Sequence, residues 1–366
     1  MPKLVRRTVE LDNFGRPNER GAAPMARHFG ALDLYRFIAA FGVAVLHFTE
    51  MAKYDAEAGL GYLVQHFALF VDFFFILSGF VIGLTYSGSV DTAGGIFTFL
   101  RRRIARIYPL YGLTLLLFMV PWMLGLSRNP DKWTAASIMS DALLVKNWPI
   151  SSPYPFNFPA WSISVEWAMY LAFPLIMLLY RWASVWALAF LIAGGIAGID
   201  YAVRAHLTEI PNLFGNISPL RALPTFCAGI VISQTYGSVA IRHASLWGFS
   251  AFVVAIVLMV AHASNYLVIG ILFAATFLTA NAYTKSPHTF LDSSITRVLG
   301  DASYSVYMWH ALFFSAFIDF LWPRLFIGKP SLWFGALLAV LIVSFSIASY
   351  RIFERPARNL ISGRSR

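Results

Sequence analysis

The sequence predicts an all-α membrane protein, a polytopic bundle of about ten transmembrane helices, and three observations support this fold class. Of the 366 residues, 58% are hydrophobic and only 13% are charged, against a charged share of about 25% in soluble domains. Apolar runs of about 18 to 24 residues follow one another, each long enough to cross about 30 Å of hydrocarbon as a helix. Short breaks with polar residues, Pro or Gly separate the runs. Lipid is therefore the expected solvent of most of the chain.

The apolar runs divide the chain into three parts. Residues 1–30 are predicted to be a disordered, basic cytoplasmic tail, residues 31–358 a membrane domain, and residues 359–366 a second cytoplasmic tail. Hydrophobic patterning places the spans at about residues 31–49, 63–86, 104–126, 161–180, 183–203, 218–236, 245–262, 266–283, 302–321 and 332–353. The segment 127–160 contains five prolines and is predicted to be irregular. It would be either a substrate lid or a plain connector.

The basic residues predict the orientation. The formal net charge is +10, but these residues flank apolar spans and form no soluble basic domain, so we expect no nucleic-acid partner. With the N-terminus inside, 19 of the 28 Lys and Arg residues lie on the cytoplasmic side and 8 on the other side, and Arg36 lies within the first span. This asymmetry favours both termini in the cytoplasm. The single cysteine, Cys227, excludes a disulfide framework and a cysteine-based metal cluster, and we expect no metal site.

Ionisable residues inside spans are costly and therefore indicate functional sites. The first span contains Arg36 and His47, which eleven helical steps place on one face, about 16 Å apart. A structural alternative is that Arg36 snorkels to the inner boundary and His47 only bonds a neighbouring helix; we favour a functional role for His47. In the second span, Asp72 lies among phenylalanines and needs a cationic or hydroxyl partner. Ser78 and Gly79 are small enough to allow a close helix approach.

Four arginines lie where the third span is predicted to begin: Arg101, Arg102, Arg103 and Arg106. Arg103 and Arg106 are spaced i, i+3 and share a helix face. The cluster either serves topology alone, by holding this end in the cytoplasm, or binds phosphate. Because topology does not select Arg over Lys, whereas the planar guanidinium suits phosphate, we favour phosphate binding.

Further polar residues lie in the fourth and ninth spans. Entering from outside, Glu166 would lie a turn or two below the outer surface, at a depth similar to that of His47. An unpaired carboxylate there is costly, so we predict that His47 and Glu166 lie close together, directly or through water. His310 is a second intramembrane histidine near mid-depth, and Tyr304 is expected to pack and to form hydrogen bonds.

Taken in order, these segments resemble the acyltransferase 3 family, the bacterial membrane acyltransferases of the O-antigen and Nod-factor acetylase type. The resemblance covers about residues 31–358. It rests on six motifs: Leu32-Asp33-Leu34-Tyr35-Arg36 with His47, Phe73-Phe74-Phe75-Ile76-Leu77-Ser78-Gly79-Phe80, Arg103 with Arg106, Trp161-Ser162-Ile163-Ser164-Val165-Glu166, Ser303-Tyr304-Ser305 to His310, and Glu354-Arg355-Pro356.

The resemblance implies a multi-pass enzyme of the bacterial inner membrane with no bound cofactor. Its donor substrate would be cytoplasmic acyl-CoA, usually acetyl-CoA, and its acceptor a hydroxyl of a carbohydrate or lipid-linked cell-envelope glycan. Membrane lipids would surround the enzyme. His47 would act at the reaction centre and Glu166 on the acceptor side. The donor would be bound by Arg36, Arg103 and Arg106. We expect three further residues to support the site: Asp72, Tyr304 and His310. Some relatives carry an additional esterase-like domain, so this chain is expected to complete the transfer itself or with a partner.

Alternatives remain for the mechanism and for the function. A neutral His47 could act as a general base or carry the acyl group covalently. A transporter of acyl groups or glycan precursors would also contain buried charges. The other superfamily of membrane O-acyltransferases is a third interpretation, but the spacing of Arg36 and His47 favours the first family.

Overall fold

The computed structural model describes residues 28–125, 134–148, 157–205, 218–286 and 288–363, and all regular structure in these ranges is helical. The α-helices are α1 Gly30–Met51, α2 Gly59–Val64, α3 Phe70–Tyr86, α4 Ala93–Met123, α5 Ala135–Ala142, α6 Trp161–Ala183, α7 Val185–Arg204, α8 Ser218–Thr235, α9 Ala244–Val260, α10 Asn265–Lys285, α11 Ser294–Phe314, α12 Trp322–Leu325, α13 Leu332–Ser349 and α14 Arg355–Ser362. Segments Gln65–Leu69 and Phe158–Ala160 are 3₁₀-helical, and Ser315–Leu321 and Tyr350–Glu354 are π-helical.

The predicted fold class, an all-α polytopic membrane bundle, is confirmed. In the described ranges, 8 helical segments are long and apolar enough to cross a membrane. The remaining two predicted spans coincide with α8 and with α9, which has 17 residues. The count of ten spans and the orientation stay predictions. The predicted N-terminal tail lies outside the described residues, apart from residues 28–30.

Two helices begin well before the apolar run that predicts them. Helix α4 begins at Ala93, where the side chain of Thr92 accepts a hydrogen bond of 3.1 Å from the backbone N–H of Gly95. Helix α11 begins at Ser294, after a capping box formed by Ser293 and Thr296. Side-chain caps satisfy the first free N–H groups of a helix and so decide where it begins, whatever the hydropathy. The four arginines therefore lie within α4 rather than at its start.

Close backbone approach joins α3 to α8, one of the two largest helix interfaces in the bundle. A Cβ atom on Gly79 would lie 2.0 Å from the carbonyl oxygen of Phe226, and one on Gly229 would lie 2.1 Å from that of Ile76. No larger side chain fits at either position without moving the backbone. The close approach predicted at Gly79 is confirmed. The other large interface pairs α1 with α11.

Part of segment 127–160 is described, and it is docked on the bundle. The segment was predicted to be irregular, but its described part includes the helix α5. The hydroxyl oxygen of Ser164 lies 2.7 Å from the carbonyl oxygen of Leu144 and 2.5 Å from that of Lys146. Lys146 is only 2% exposed and lies 3.7 Å from Asp141. Burial lowers the pKa of the Lys146 ammonium, and the charge of Asp141 opposes this shift. This docked part therefore holds the beginning of α6 in place.

Cysteine labelling tests the predicted orientation. In a background with Cys227 replaced by Ala, we expect Glu57→Cys to react with a membrane-impermeant maleimide in intact cells. His288→Cys should react only after lysis, because positive-inside topology places it in the cytoplasm; both native residues are exposed. The opposite labelling pattern would reverse the orientation.

Candidate active site

Two histidines, one from α1 and one from α11, meet in the core and are here called the histidine pair. Nδ1 of His47 lies 2.8 Å from Nε2 of His310, and the rings are 10° from parallel with centroids 5.1 Å apart. Nδ1 of His310 lies 3.2 Å from the carbonyl oxygen of Val306. Because a carbonyl only accepts, Nδ1 of His310 carries a proton, and in the neutral ring Nε2 is an acceptor. His47 then donates from Nδ1, and its Nε2 carries a free lone pair.

Aromatic rings and hydroxyl groups surround the histidine pair. The ring of Phe158 lies 5.0 Å from His47 and that of Tyr307 lies 5.7 Å from His310, centroid to centroid. The hydroxyl oxygens of Tyr307 and Ser162 are 2.7 Å apart. His310 is fully buried, whereas His47 is half-buried. The accessible imidazole of the pair is therefore His47.

The predicted proximity of His47 and Glu166 is wrong. His47 pairs with His310, and Glu166 accepts a hydrogen bond of 2.6 Å from the hydroxyl of Tyr170. The error lies in the depth at which α6 begins. The 3₁₀ segment enters the bundle before the helix and places Phe158 at the level of His47. Glu166 follows about two turns later, about 12 Å farther along the helix axis.

Arg103 is enclosed by aromatic rings. Its guanidinium carbon lies 5.1 Å from the ring centroid of Tyr86, 5.9 Å from that of Phe99 and 5.8 Å from that of Tyr170. Nη2 donates a hydrogen bond of 3.2 Å to the hydroxyl of Tyr86, and Nε is buried with no hydrogen-bond partner. Cation–π contacts hold the charge at one place. Such an enclosure exceeds what a purely topological arginine requires.

Arg106 and Tyr304 lie beside Arg103 on the same side of α4. The guanidinium carbon of Arg106 is 5.7 Å from the ring centroid of Tyr304, whose hydroxyl donates a hydrogen bond of 2.9 Å to the carbonyl oxygen of Ile107. The packing and hydrogen bonding predicted for Tyr304 are confirmed. The name inner cluster is used here for five residues: Tyr304, Arg103, Arg106, Glu166 and Tyr170.

The sequence analysis missed a buried carboxylate, Glu354. It is 6% exposed and accepts a hydrogen bond from Ser305, the neighbour of Tyr304. Among the six motifs, Glu354 was not assigned to the site. The helix continues through the π-helical segment into α14, and the side chain of Glu354 is buried in the bundle. Single π-helical turns occur often at functional sites, but no sequence pattern marks this one.

Arg36 joins α1 to α11 near the N-terminal ends of both helices. Its Nη2 lies 2.5 Å from Oδ1 of Asp33 and donates to the carbonyl oxygen of Gly300 at 3.0 Å, while Nε donates to the hydroxyl of Ser303 at 3.0 Å. These bonds use Nε and Nη2. The remaining nitrogen, Nη1, is the donor available to an anion.

The cationic partner predicted for Asp72 is Arg221, so that prediction is confirmed. Nη2 and Nε of Arg221 donate to the two carboxylate oxygens at 2.6 Å and 3.1 Å, and the side chains are 6% and 4% exposed. The guanidinium carbon also lies 5.5 Å from the ring centroid of Trp161. The predicted count of eight basic residues on the outer side included Arg221. That assignment was wrong, because Arg221 lies inside the bundle. The asymmetry of basic residues is greater without it.

The predicted site residues therefore fall into two levels and one separate pair. The histidine pair forms one level, and the inner cluster forms the other, with Arg36 toward the N-terminal ends of α1 and α11. Along α11, Tyr304 and His310 connect the two levels over about 9 Å. Asp72 belongs to neither level and pairs with Arg221.

Comparison with known proteins gives four findings. A family model described as "Acyltransferase domain" matches residues 29–351. Acyltransferase MdmB of Streptomyces mycarofaciens is 28% identical over 78% of this chain and 79% of its own length. Exopolysaccharide production protein ExoZ of Rhizobium meliloti (strain 1021) is 27% identical over 81% of this chain and 90% of its own length. No solved structure matches the chain significantly. The family match includes every helix that contributes to the two levels.

The pairing of Asp72 with Arg221 predicts a large effect on stability. Arg221→Met leaves a buried carboxylate unpaired and should lower the free energy of unfolding by about 3–5 kcal/mol. The double variant Asp72→Leu/Arg221→Met should recover most of this loss, since no charge remains. SDS-induced unfolding in mixed micelles measures both.

Arg204→Met is the matched control. Arg204 also pairs with an aspartate, Asp200, but its side chain is 77% exposed, so the loss should stay below about 1 kcal/mol. Equal stability of Arg221→Met and the wild type would show that the pair does not hold the bundle together.

Proposed function

The chain belongs to the acyltransferase 3 family, and on this premise we propose that it transfers an acyl group from cytoplasmic acyl-CoA to a hydroxyl of a carbohydrate or cell-envelope glycan.

 The proposed acyl group is acetyl. Membership of the family and the helical bundle make the chain a multi-pass membrane acyltransferase. The relative named for exopolysaccharide production supports a glycan as the acceptor. Since acyl-CoA is a cytoplasmic donor, the proposed location is the bacterial inner membrane.

The histidine pair is the observation that carries this proposal. Nδ1 of His47 is occupied by His310, so Nε2 is the atom that reacts. The acceptor hydroxyl oxygen attacks the thioester carbonyl carbon while Nε2 takes the hydroxyl proton. The C–S bond then breaks, and the leaving thiolate of coenzyme A takes the proton from Nε2. The products are an ester and the free thiol, and His47 returns to its neutral form.

A covalent route uses the same atom. Nε2 attacks the thioester carbonyl carbon, the thiolate of coenzyme A leaves, and an acyl-imidazole forms. The acceptor hydroxyl oxygen then attacks this carbonyl carbon, the bond from the carbonyl carbon to Nε2 breaks, and the thiolate of coenzyme A takes the hydroxyl proton, which leaves an ester, the free thiol and neutral His47. In both routes His310 acts as a positioning residue, because its hydrogen bond fixes the tautomer and orientation of His47.

The inner cluster suits the donor. Arg103 and Arg106 would bind the phosphates of coenzyme A, with Nη1 of Arg36 as a further donor, because guanidinium groups form charge-assisted bonds with phosphate. The thioester arm would then run the remaining distance to the histidine pair. Glu166 orients Tyr170, whose ring lies 5.8 Å from the guanidinium carbon of Arg103. We therefore place Glu166 on the donor side of the reaction rather than beside His47.

Single arginine substitutions test donor binding. Arg103→Ala and Arg106→Ala should each raise the Kd for acyl-CoA about tenfold or more, because a hydrogen bond to a charged group contributes about 1.5–3 kcal/mol. Calorimetric titration of the purified protein with acetyl-CoA measures this. Arg102→Ala removes the same charge from the same helix and is the control. Equal, small effects at all three positions would show that these arginines do not bind the donor and only hold their end of α4 in the cytoplasm.

Substitution of the histidine pair tests the chemistry. His47→Ala should lower the release of free CoA thiol by about 10²- to 10⁴-fold without changing the Kd for acetyl-CoA. His310→Ala should lower kcat, and His310→Gln should restore part of it, because the amide oxygen accepts a hydrogen bond from Nδ1 of His47. Rapid-quench mass spectrometry distinguishes the two routes through an acyl group on His47.

Two results would contradict the proposal. Turnover near the wild-type rate in correctly inserted His47→Ala protein would make the histidine pair a structural contact. Purified wild-type protein that moves a labelled substrate across a vesicle membrane but releases no CoA thiol would be a transporter.

A further inference from the structure

Helices α1, α11 and α13 enclose an apolar crevice that the proposed chemistry does not use. Its volume is about 160 Å³, and all 12 residues that line it are apolar. An apolar cavity of about 150 Å³ remains dry and binds hydrocarbon. The chemistry of this crevice therefore suits an alkyl chain rather than coenzyme A or a sugar.

Small residues on one face of α13 create the crevice. Gly335, Ala336 and Ala339 line it, and a Cβ atom on Gly335 would lie 2.5 Å from the ring of Phe48 on α1. The crevice extends from the first turn of α13 to Ile342, over about 15 Å. Ala336 is exposed on the surface of the bundle. A chain could thus enter sideways from the bilayer.

A cation lies at the end of the crevice that is predicted to face the outer leaflet. Lys329, three residues before α13, is exposed, and its Nζ lies 4.6 Å from the ring centroid of Tyr54. The hydroxyl of Tyr54 donates to the carbonyl oxygen of Pro330 at 3.0 Å, and its ring lies 6.0 Å from that of Phe48. These contacts hold the ammonium beside the crevice wall. A lipid with a phosphate head group would match both the apolar crevice and this charge.

The crevice adjoins the part of α11 that carries His310. Val306 and Phe314 line it, and they lie one turn before and one turn after His310 on α11. The carbonyl oxygen of Val306 accepts the hydrogen bond from Nδ1 of His310. A lipid chain in the crevice would therefore pack against the two turns of α11 that flank His310.

We propose that the crevice binds the hydrocarbon chain of a phosphate-bearing lipid, with the phosphate at Lys329, and that this lipid carries the acceptor glycan. This inference rests on the proposed acyl transfer and names its substrate class. Holding the acceptor by its lipid replaces a bimolecular encounter with an oriented one, which favours reaction. The enzyme then needs few contacts with the sugar itself.

Photolabelling of the full-length protein tests the inference. Purified protein in phosphatidylcholine nanodiscs is irradiated with a polyprenyl phosphate that carries a diazirine in its chain. We expect labelled peptides from α1 and α13. Ala339→Phe fills the crevice and should reduce labelling about tenfold, and Ala336→Leu is a second filling variant. Val340→Phe, at a position 65% exposed on the outer face of α13, should label like the wild type.

Lys329→Ala tests the phosphate contact. It should weaken labelling by the polyprenyl phosphate and leave labelling by the corresponding polyprenol unchanged. Equal labelling by a diazirine phosphatidylglycerol would make the crevice a site for bulk anionic lipid and overturn the carrier assignment. Labelling by a diazirine acyl-CoA would assign the crevice to the donor, and absence of labelled α1 and α13 peptides would also overturn the inference.

Release of CoA thiol from acetyl-CoA by the same samples separates this inference from the proposed function. Wild-type protein that releases CoA without labelling in the crevice retains the proposed function and loses the lipid site. Protein that releases no CoA overturns the proposed function and, with it, the carrier assignment.

Discussion

A polar group buried in hydrocarbon must find its partner within the protein, and the interface of α1 with α11 meets this constraint at both ends. At one end, Arg36 bonds Asp33, Ser303 and Gly300; at the other, His47 bonds His310. At the Arg36 end the helices can touch because Gly300 has no side chain: a Cβ atom there would lie 2.3 Å from that of Asp33. The register of two helices thus brings the two imidazoles together.

The buried ion pair of Asp72 with Arg221 supports the histidine pair indirectly. Arg221 binds Asp72 across the α3–α8 interface and stacks over Trp161, the first residue of α6. The next residue, Ser162, bonds the hydroxyl of Tyr307, whose ring lies 5.7 Å from His310. A contact path therefore runs from the ion pair to the histidine pair. Asp72 is thus linked to the histidine pair through packing, although it contacts neither histidine.

Composition and hydropathy were sufficient to predict the fold class, because a span needs little more than enough consecutive apolar residues. They also predicted that Asp72 requires a cation, since burial makes this necessary. They could not identify Arg221 or His310 as partners, because partner choice depends on how helices rotate and slide against one another. The predicted depth of Glu166 was wrong for a related reason: a 3₁₀ segment, not the membrane surface, sets where α6 begins. The catalytic and donor-binding roles of these residues stay predictions.

The occupied Nδ1 of His47 has a consequence for chemical reactivity. An imidazole in solution presents two nitrogens to an electrophile, and a reagent yields a mixture of regioisomers. In this protein one nitrogen is held by His310 inside the bundle, and the other has a free lone pair. Covalent inhibitors aimed at this histidine would therefore form a single adduct, and the same selectivity makes the residue suitable for site-specific probes.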